Sequence, residues 1–186
     1  TVTATDAAGN TSATSAALTV TVDTTPPDAP SAPDLNAASD SGVSDTDDLT
    51  NVNTPVLAGT AETDSTVSIT SDIDGVVGTA TSDSTVGIWT AVTTALSDSV
   101  HNLSATATDA AGNTSAASSA LTVTIDTSAP AAPAGLDLAA GSDSGSSSTD
   151  DITSDTTPTV SGTADANSTV NLTSSLDGPV GTTSAD

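Results

Sequence analysis

The side chains best placed to do chemistry are aspartates crowded into two short loops. Asp40-Ser-Gly-Val-Ser-Asp-Thr-Asp-Asp48 gathers Asp40, Asp45, Asp47 and Asp48, and Asp143-Ser-Gly-Ser-Ser-Ser-Thr-Asp-Asp151 repeats the pattern with Asp143, Asp150 and Asp151. Calcium takes about six to eight oxygen ligands from carboxylates, backbone carbonyls and waters. A loop that brings several carboxylates around a glycine, with small hydroxyl side chains between them, offers such oxygens. Carboxylates this close repel one another, by about 1 kcal/mol at 4 Å even in bulk water. A cation among them would relieve that repulsion. The spacing is not that of an EF-hand loop, and Asp45 gives way to Ser148 in the second copy. A polar turn, in which Asp and Ser bond their own backbone, is the competing reading.

The remaining composition closes off other chemistry. The chain has 24 acidic residues, no Lys or Arg and one His, for a formal charge of −24. Nucleic-acid binding draws on Lys and Arg, and anionic membrane surfaces repel such a chain, so neither is expected as a partner. No apolar run approaches the roughly 20 residues that a membrane-spanning helix needs. Cysteine is absent, which excludes disulfides and thiolate metal sites. His101 has no patterned partner and reads as a strand or loop histidine rather than a general base. Paired glycosidase carboxylates would need aromatic platforms for a sugar, and Trp89 is the only aromatic residue. It reads as a core residue. No enzyme is expected.

These loops recur because the chain repeats. Thr3–Ala13 and Thr106–Ala116 are identical, an offset of 103 residues. The same offset pairs Leu18–Asp23 with Leu121–Asp126, Gly59-Thr-Ala with Gly162-Thr-Ala, and Asp74-Gly75 with Asp177-Gly178, without a gap. So long a period indicates an array of whole domains rather than a solenoid of small units. Prolines cluster at Pro26, Pro27, Pro30 and Pro33, and again at Pro130 and Pro133. They lack an N–H and stiffen the backbone, which marks short linkers. The organisation expected is therefore the tail of one repeat over 1–26, a complete repeat over 27–129, and the first half of another over 130–186. The chain opens on Thr1 with no leader segment and reads as an excerpt of something longer.

Inside the complete repeat every signal is for strands. Thr66–Thr70 and Leu121–Ile125 alternate apolar and polar residues with period two. Asp74-Gly75 between Ile73 and Val76 predicts a hairpin turn, and Ala110–Asn113 is turn material between two strands. About seven short strands in about 100 residues predict an all-β fold: antiparallel immunoglobulin-like sandwiches in tandem, joined by short Pro-rich linkers. With so few aromatics the cores are built from Val, Ile, Leu and Ala, so they are thin and only marginally stable unaided.

The strings A-T-D-A-A-G-N-T-S, A-L-T-V-T-[VI]-D-T-x-x-P-x-A-P, S-D-S-G-x-S-x-T-D-D-[IL]-T and G-T-A-x-x-x-S-T-V run through the whole chain. Together they resemble the bacterial Ig-like repeats of giant type I-secreted, RTX-type biofilm and host-cell adhesins. That resemblance implies an extracellular location on the bacterial surface, arrangement in long filaments, and Ca2+ bound in or between neighbouring repeats. The partners it implies are the neighbouring repeats themselves, with any host ligand contacted by other modules.

A second cation site would then lie at the linker end of a sandwich. Glu62 and Asp64 fall in the predicted B–C loop, Asp109 and Asn113 in the F–G loop, and Asp23 closes the preceding repeat. The next junction would use Asp126 with Asp165 and Asn167. Here too, Asp109 and Asn113 could simply brace a tight turn. The function expected is a stalk segment that supports adhesion or biofilm formation. The alternative is a repeat that itself binds a carbohydrate or protein ligand, which would need an exposed apolar or aromatic patch.

Overall fold

A computed structural model describes residues 1–186 in full. All its regular structure is strand: β1 (Asp34–Leu35), β2 (Leu49–Thr50), β3 (Val56–Thr60), β4 (Thr66–Ser71), β5 (Gly75–Thr81), β6 (Ile88–Val92), β7 (Ser99–Thr108), β8 (Leu121–Ile125), β9 (Ala134–Leu138), β10 (Val160–Thr163), β11 (Thr169–Ser174) and β12 (Gly178–Ser184). The chain divides into two compact units, Thr1–Thr127 and Ser128–Asp186.

In the first unit, period-two patterning produces two sheets, ordered β1-β3-β6 and β2-β8-β7-β4-β5. Alternate residues point inward. Val67 and Ile69 of β4, Leu103 and Ala105 of β7, and Val123 and Ile125 of β8 pack in one core with Leu57, Trp89, Ala91 and Leu35 of the smaller sheet. Fully burying a large apolar side chain contributes about 1.5–3 kcal/mol, and the several small residues of this core contribute less. Trp89, 1% exposed, fills the space above a bare backbone. A Cβ on Gly59 would lie 2.6 Å from Trp89 Cζ2, so this position admits only glycine without movement.

The sheets are antiparallel with one exception. β2 runs parallel to β8, with Leu49 opposite Thr124 and Thr50 opposite Ile125. β2 follows the Asp40–Asp48 loop, so this ladder anchors the loop to the last strand of the sandwich. The Asp74-Gly75 hairpin forms as its residues dictate, with Gly75 at φ 73°. One bulge interrupts it between Ile69 and Thr70.

Residues 1–26 form a single bridge, Thr5 to Thr11, around the turn at Asp6–Asn10. Leu18 is 81% and Val22 81% exposed, whereas Ile125, which matches Val22, is 1% exposed in the complete sandwich. The matching segment Leu121–Ile125, which differs only by Ile125 for Val22, is a core strand where an opposite sheet covers it.

The second unit holds two hairpins, β9 with β10 and β11 with β12. Its local details repeat those of the first. The bulge falls between Leu172 and Thr173, and left-handed Asp151 and Asn167 match left-handed Asp48 and Asp64. Val160, which matches the buried Leu57, is exposed in this unit.

Candidate metal centre

The first Asp loop is held by hydroxyl groups. After β1 the chain turns tightly, with the amides of Ser39 and Asp40 both donating to the Asn36 carbonyl. Ser39 Oγ accepts from Val56 N at 3.0 Å, and Thr50 Oγ1 donates to the Ser39 carbonyl. Ser41 Oγ accepts from Asn51 N at 2.9 Å. The second loop uses the same braces: Ser142 Oγ takes Thr159 N, Thr153 Oγ1 donates to the Ser142 carbonyl, and Ser144 Oγ takes Ser154 N. Small hydroxyl residues suit this role because they reach a nearby backbone group without filling the loop.

This scaffold sorts the aspartates. Asp40 is turned inward and is 6% exposed, and Asp143 is 7% exposed. In both, Oδ1 is buried with no hydrogen-bonding partner in the protein. Asp40 Oδ2 accepts one long bond from Asp48 N at 3.3 Å. A buried, unpaired carboxylate is among the costliest groups a fold can contain, and this chain has no Lys or Arg to offset it. Asp48 sits beside Asp40 in a left-handed conformation, φ 57°. Burial, then repulsion from Asp40, Asp34 and Asp47, raises its carboxyl above the ordinary aspartate range. Asp151 matches it at φ 56°, with Oδ1 3.4 Å from Leu138 N.

The other loop aspartates face solvent. Asp47 Oδ1 caps its own turn through Leu49 N at 3.2 Å, and Asp150 does the same through Ile152 N at 3.3 Å. Asp45 is fully on the surface. Asp34, which the spacing of the loop did not reveal, contributes a further charge close to Asp48.

The junction residues are arranged differently. Asp109 Oδ1 accepts from Ala111 N and Asn113 N, and its Oδ2 accepts from Asn113 Nδ2 at 2.8 Å. The Asn113 side chain, then the turn amides, hold this carboxyl below its usual range. Asn113 Nδ2 also reaches the Asp23 carbonyl at 3.2 Å, so the turn touches the segment that precedes the linker. Asp23 Oδ1 is taken by Thr25 N at 3.0 Å. Glu62 and Asp64 lie on the exposed β3–β4 loop. There the Glu62 backbone carbonyl receives the hydroxyls of Ser65 and Ser82. In the second unit Asp165 Oδ2 accepts from Ala131 N at 2.7 Å, and Asn167 is left-handed at φ 62°. Asp126 donates its backbone N–H to the Thr50 carbonyl at 3.0 Å.

Nowhere do three or more carboxylate or imidazole groups converge closely enough to hold one ion. Any ion in an Asp loop would therefore rest on two carboxylates, with carbonyl, hydroxyl and water oxygens completing the shell. The orphaned buried oxygens of Asp40 and Asp143 fit that role. The aspartate of the Asp109–Asn113 turn is already committed to amide donors.

His101 is fully buried on β7. Its Nδ1 lies 2.9 Å from Ser71 Oγ and its Nε2 2.7 Å from the Ser97 carbonyl. Asp74 Oδ2 is 3.7 Å from Nδ1 and accepts from Ser97 N at 3.0 Å. The ring thereby ties the β4–β5 turn to the β6–β7 loop, as a structural strand histidine would.

A search of curated proteins finds no match to the chain. The sequence profile described as "Bacterial Ig-like domain" matches it twice, over residues 26–127 and 130–186. The first match spans the complete sandwich and the second the paired hairpins, and together they cover most of the sequence. The chain belongs to the bacterial Ig-like domain family.

Proposed function

We propose that this chain is an extender segment in the stalk of a bacterial cell-surface adhesin, outside the cell, where it spaces an adhesive module from the surface and performs no catalysis. The observation that carries this reading is the repetition itself. Two family domains follow one another, their sequences in register at a fixed offset of 103 residues (Asp40 to Asp143), and the copies share loop braces, left-handed aspartates and the β4–β5 bulge. Repetition of a whole domain adds length. Calcium in the Asp-rich loops is the stiffening element. An ion that binds only the folded state stabilises it by RT ln(1 + [L]/Kd), about 1.4 kcal/mol per site at ten times Kd. Extracellular calcium modules have Kd of about 10⁻⁴ to 10⁻³ M, so such sites fill outside the cell and empty in calcium-poor cytoplasm. Thin cores at high negative charge make that difference decisive for folding.

Small-angle scattering and thermal melting of the whole chain, in millimolar calcium and in EDTA, test the proposal. The expected result in calcium is a higher melting temperature and a longer, better-defined maximum dimension. Identical melts and identical scattering curves in the two conditions would remove the stiffening role. Binding of the complete repeat to a glycan or protein array would instead favour a repeat that recognises the target itself.

A further inference from the structure

We infer that copies of this chain join head to tail: residues 1–23 of one copy lie against the open β9–β12 hairpins of the next and rebuild the larger sheet of a sandwich there. The inference goes beyond the stalk reading and does not depend on where a cation binds.

Both surfaces are parts of one repeat. Residues 1–23 match 104–126 at 18 of 23 positions, and 130–186 align with 27–83, at the offset of 103. In the first unit the segment 104–126 supplies the end of β7 and all of β8, which extend the larger sheet beyond β4 and bring Ala105, Val123 and Ile125 to the core. Val67 and Ile69 of β4 are fully buried there, whereas their counterparts on β11, Val170 and Leu172, are only half-buried. β11 has a single neighbour, β12, so its other edge offers unpaired amides and carbonyls. Leu136, Val160, Val170 and Leu172 line an open cleft of about 580 Å³ on this unit. The tail presents the complementary surface: Val2, Leu18, Val20 and Val22 are each at least 68% exposed.

The first unit fixes the register. There Thr66 pairs with Thr108 and Ile69 with Ala105, antiparallel, and Thr50 lies opposite Ile125, parallel. The same offset sets Thr169 opposite Thr5, Leu172 opposite Val2, and Thr153 opposite Val22 of the joining copy. The tail is already shaped for this. Its Thr5–Thr11 bridge matches Thr108–Thr114. The amides of Ser12 and Ser15 donate to the carbonyls of Ala4 and Val2, as those of Ser115 and Ser118 do to Ala107 and Ala105. A preshaped segment loses less entropy on docking. Neither part supplies counterparts of residues 84–103, and so of β6 and Trp89; the smaller sheet stays incomplete, and the join is weaker than the fold of the first unit. Because the two contacting surfaces differ, the contact is heterologous and copies add end to end. Each copy carries a formal charge of −24, so like-charge repulsion opposes the join and salt strengthens it.

Sedimentation velocity of the full chain at rising concentration, in millimolar calcium, tests the join. Wild type is expected to form dimers and longer species whose share grows with concentration and with added salt. Val20→Asp on the tail and Leu172→Asp on the hairpins should each weaken association more than about ten-fold, since docking would bury an unpaired carboxylate. Mixing the two variants should restore one contact, between the intact tail of one and the intact hairpins of the other, and stop at heterodimers. Trp89 fluorescence melts should be unchanged in both, because neither residue belongs to the core that holds the indole. Should Leu172→Asp unfold the hairpins, cysteine pairs give a second readout, as the chain has no Cys of its own. Under an added disulfide oxidant, Val2→Cys mixed with Leu172→Cys should crosslink into heterodimers. Thr3→Cys mixed with Leu172→Cys should do so far more slowly, because adjacent strand residues face opposite sides. Association that survives Val20→Asp but not Leu172→Asp would mean that hairpins pack on hairpins. A chain that stays monomeric at every concentration, or a Val2→Cys/Leu172→Cys double variant that crosslinks only within itself, would mean that no second copy covers the open face. Each of these results would overturn the join.

Discussion

Replacing Gly59 by alanine isolates one contact of the sandwich core. Gly59 lies on β3 opposite Trp89 on β6. An added Cβ would sit 2.6 Å from Trp89 Cζ2, 2.8 Å from Cε2 and 2.9 Å from Ser31 Oγ. The backbone of Gly59 is ordinary, so the whole cost is steric. A close-packed core that must absorb an extra methyl loses about 1–3 kcal/mol. For a domain of this size each kcal/mol moves the melting temperature by about 4–8 °C, which gives a fall of about 4–24 °C. Gly78 on β5 is the control: its added Cβ would meet Ile69 Cδ1 at 3.5 Å, an ordinary contact. Gly78→Ala should be neutral, or stabilising by about 0.5 kcal/mol through lost unfolded-state entropy. Far-UV circular dichroism melts of the two variants suffice. Coupling should appear in a double-mutant cycle, Gly59→Ala costing less in a Trp89→Leu background than in wild type. Equal behaviour of the two glycine variants, or additivity in the cycle, would refute the close seating of the indole on the Gly59 backbone.

Three further outcomes are expected. Gly87→Ala should be more damaging, about 3 kcal/mol, because the residue is left-handed at φ 71° and its Cβ would fall 2.2 Å from the Ala61 carbonyl oxygen; urea unfolding measures this, and a loss below about 1 kcal/mol contradicts the turn geometry. Asn113→Ala should let the Asp109 carboxyl return toward its usual range in an NMR titration and raise hydrogen exchange around residue 23, since one side chain makes both contacts. The pH dependence of metal-free stability has two opposed parts. The hydrogen-bonded carboxyls of Asp72, Asp83 and Asp109 are held low; their contribution is complete above the unfolded value near 3.8 and disappears as pH falls through the lower folded values. Asp48 is raised, so it costs stability above its folded value and nothing below the unfolded one. Asp48→Asn should therefore stabilise the metal-free chain at neutral pH, with the gain fading below about pH 4; a gain that persists in strong acid would exclude charge as its cause.

Much of the architecture could be read from residue order. Period-two runs locate β4 and β8, Asp74-Gly75 locates the hairpin, and Trp89, the largest apolar side chain and the only aromatic one, reads as a core residue, where it packs with Leu57, Ile69, Leu103 and Ile125. The parallel β2–β8 ladder was not legible. Leu49-Thr50 is too short to show a period, and its pairing depends on where the Asp loop delivers it. The candidate site was half visible. Spacing marks Asp40, Asp45, Asp47 and Asp48 as equals, but only the fold buries one, exposes another and puts a third into its own turn. Asp34 was missed because it lies in a different stretch of sequence, brought near Asp48 by strand placement. Asp109 and Asn113 show the limit of spacing: these residue types suit an ion or a turn alike, and only the fold shows the amides of Ala111 and Asn113 bonded to the Asp109 carboxylate.

The burial of Trp89 has a practical corollary. The chain contains no Tyr and no Phe, so its near-ultraviolet absorption and intrinsic emission come from one indole. That indole is buried in the core of the first unit, and the hairpins beyond Ser128 are optically silent. Fluorescence therefore follows one sandwich alone while circular dichroism follows the whole polypeptide, and any gap between the two curves measures how independently adjoining repeats lose their structure.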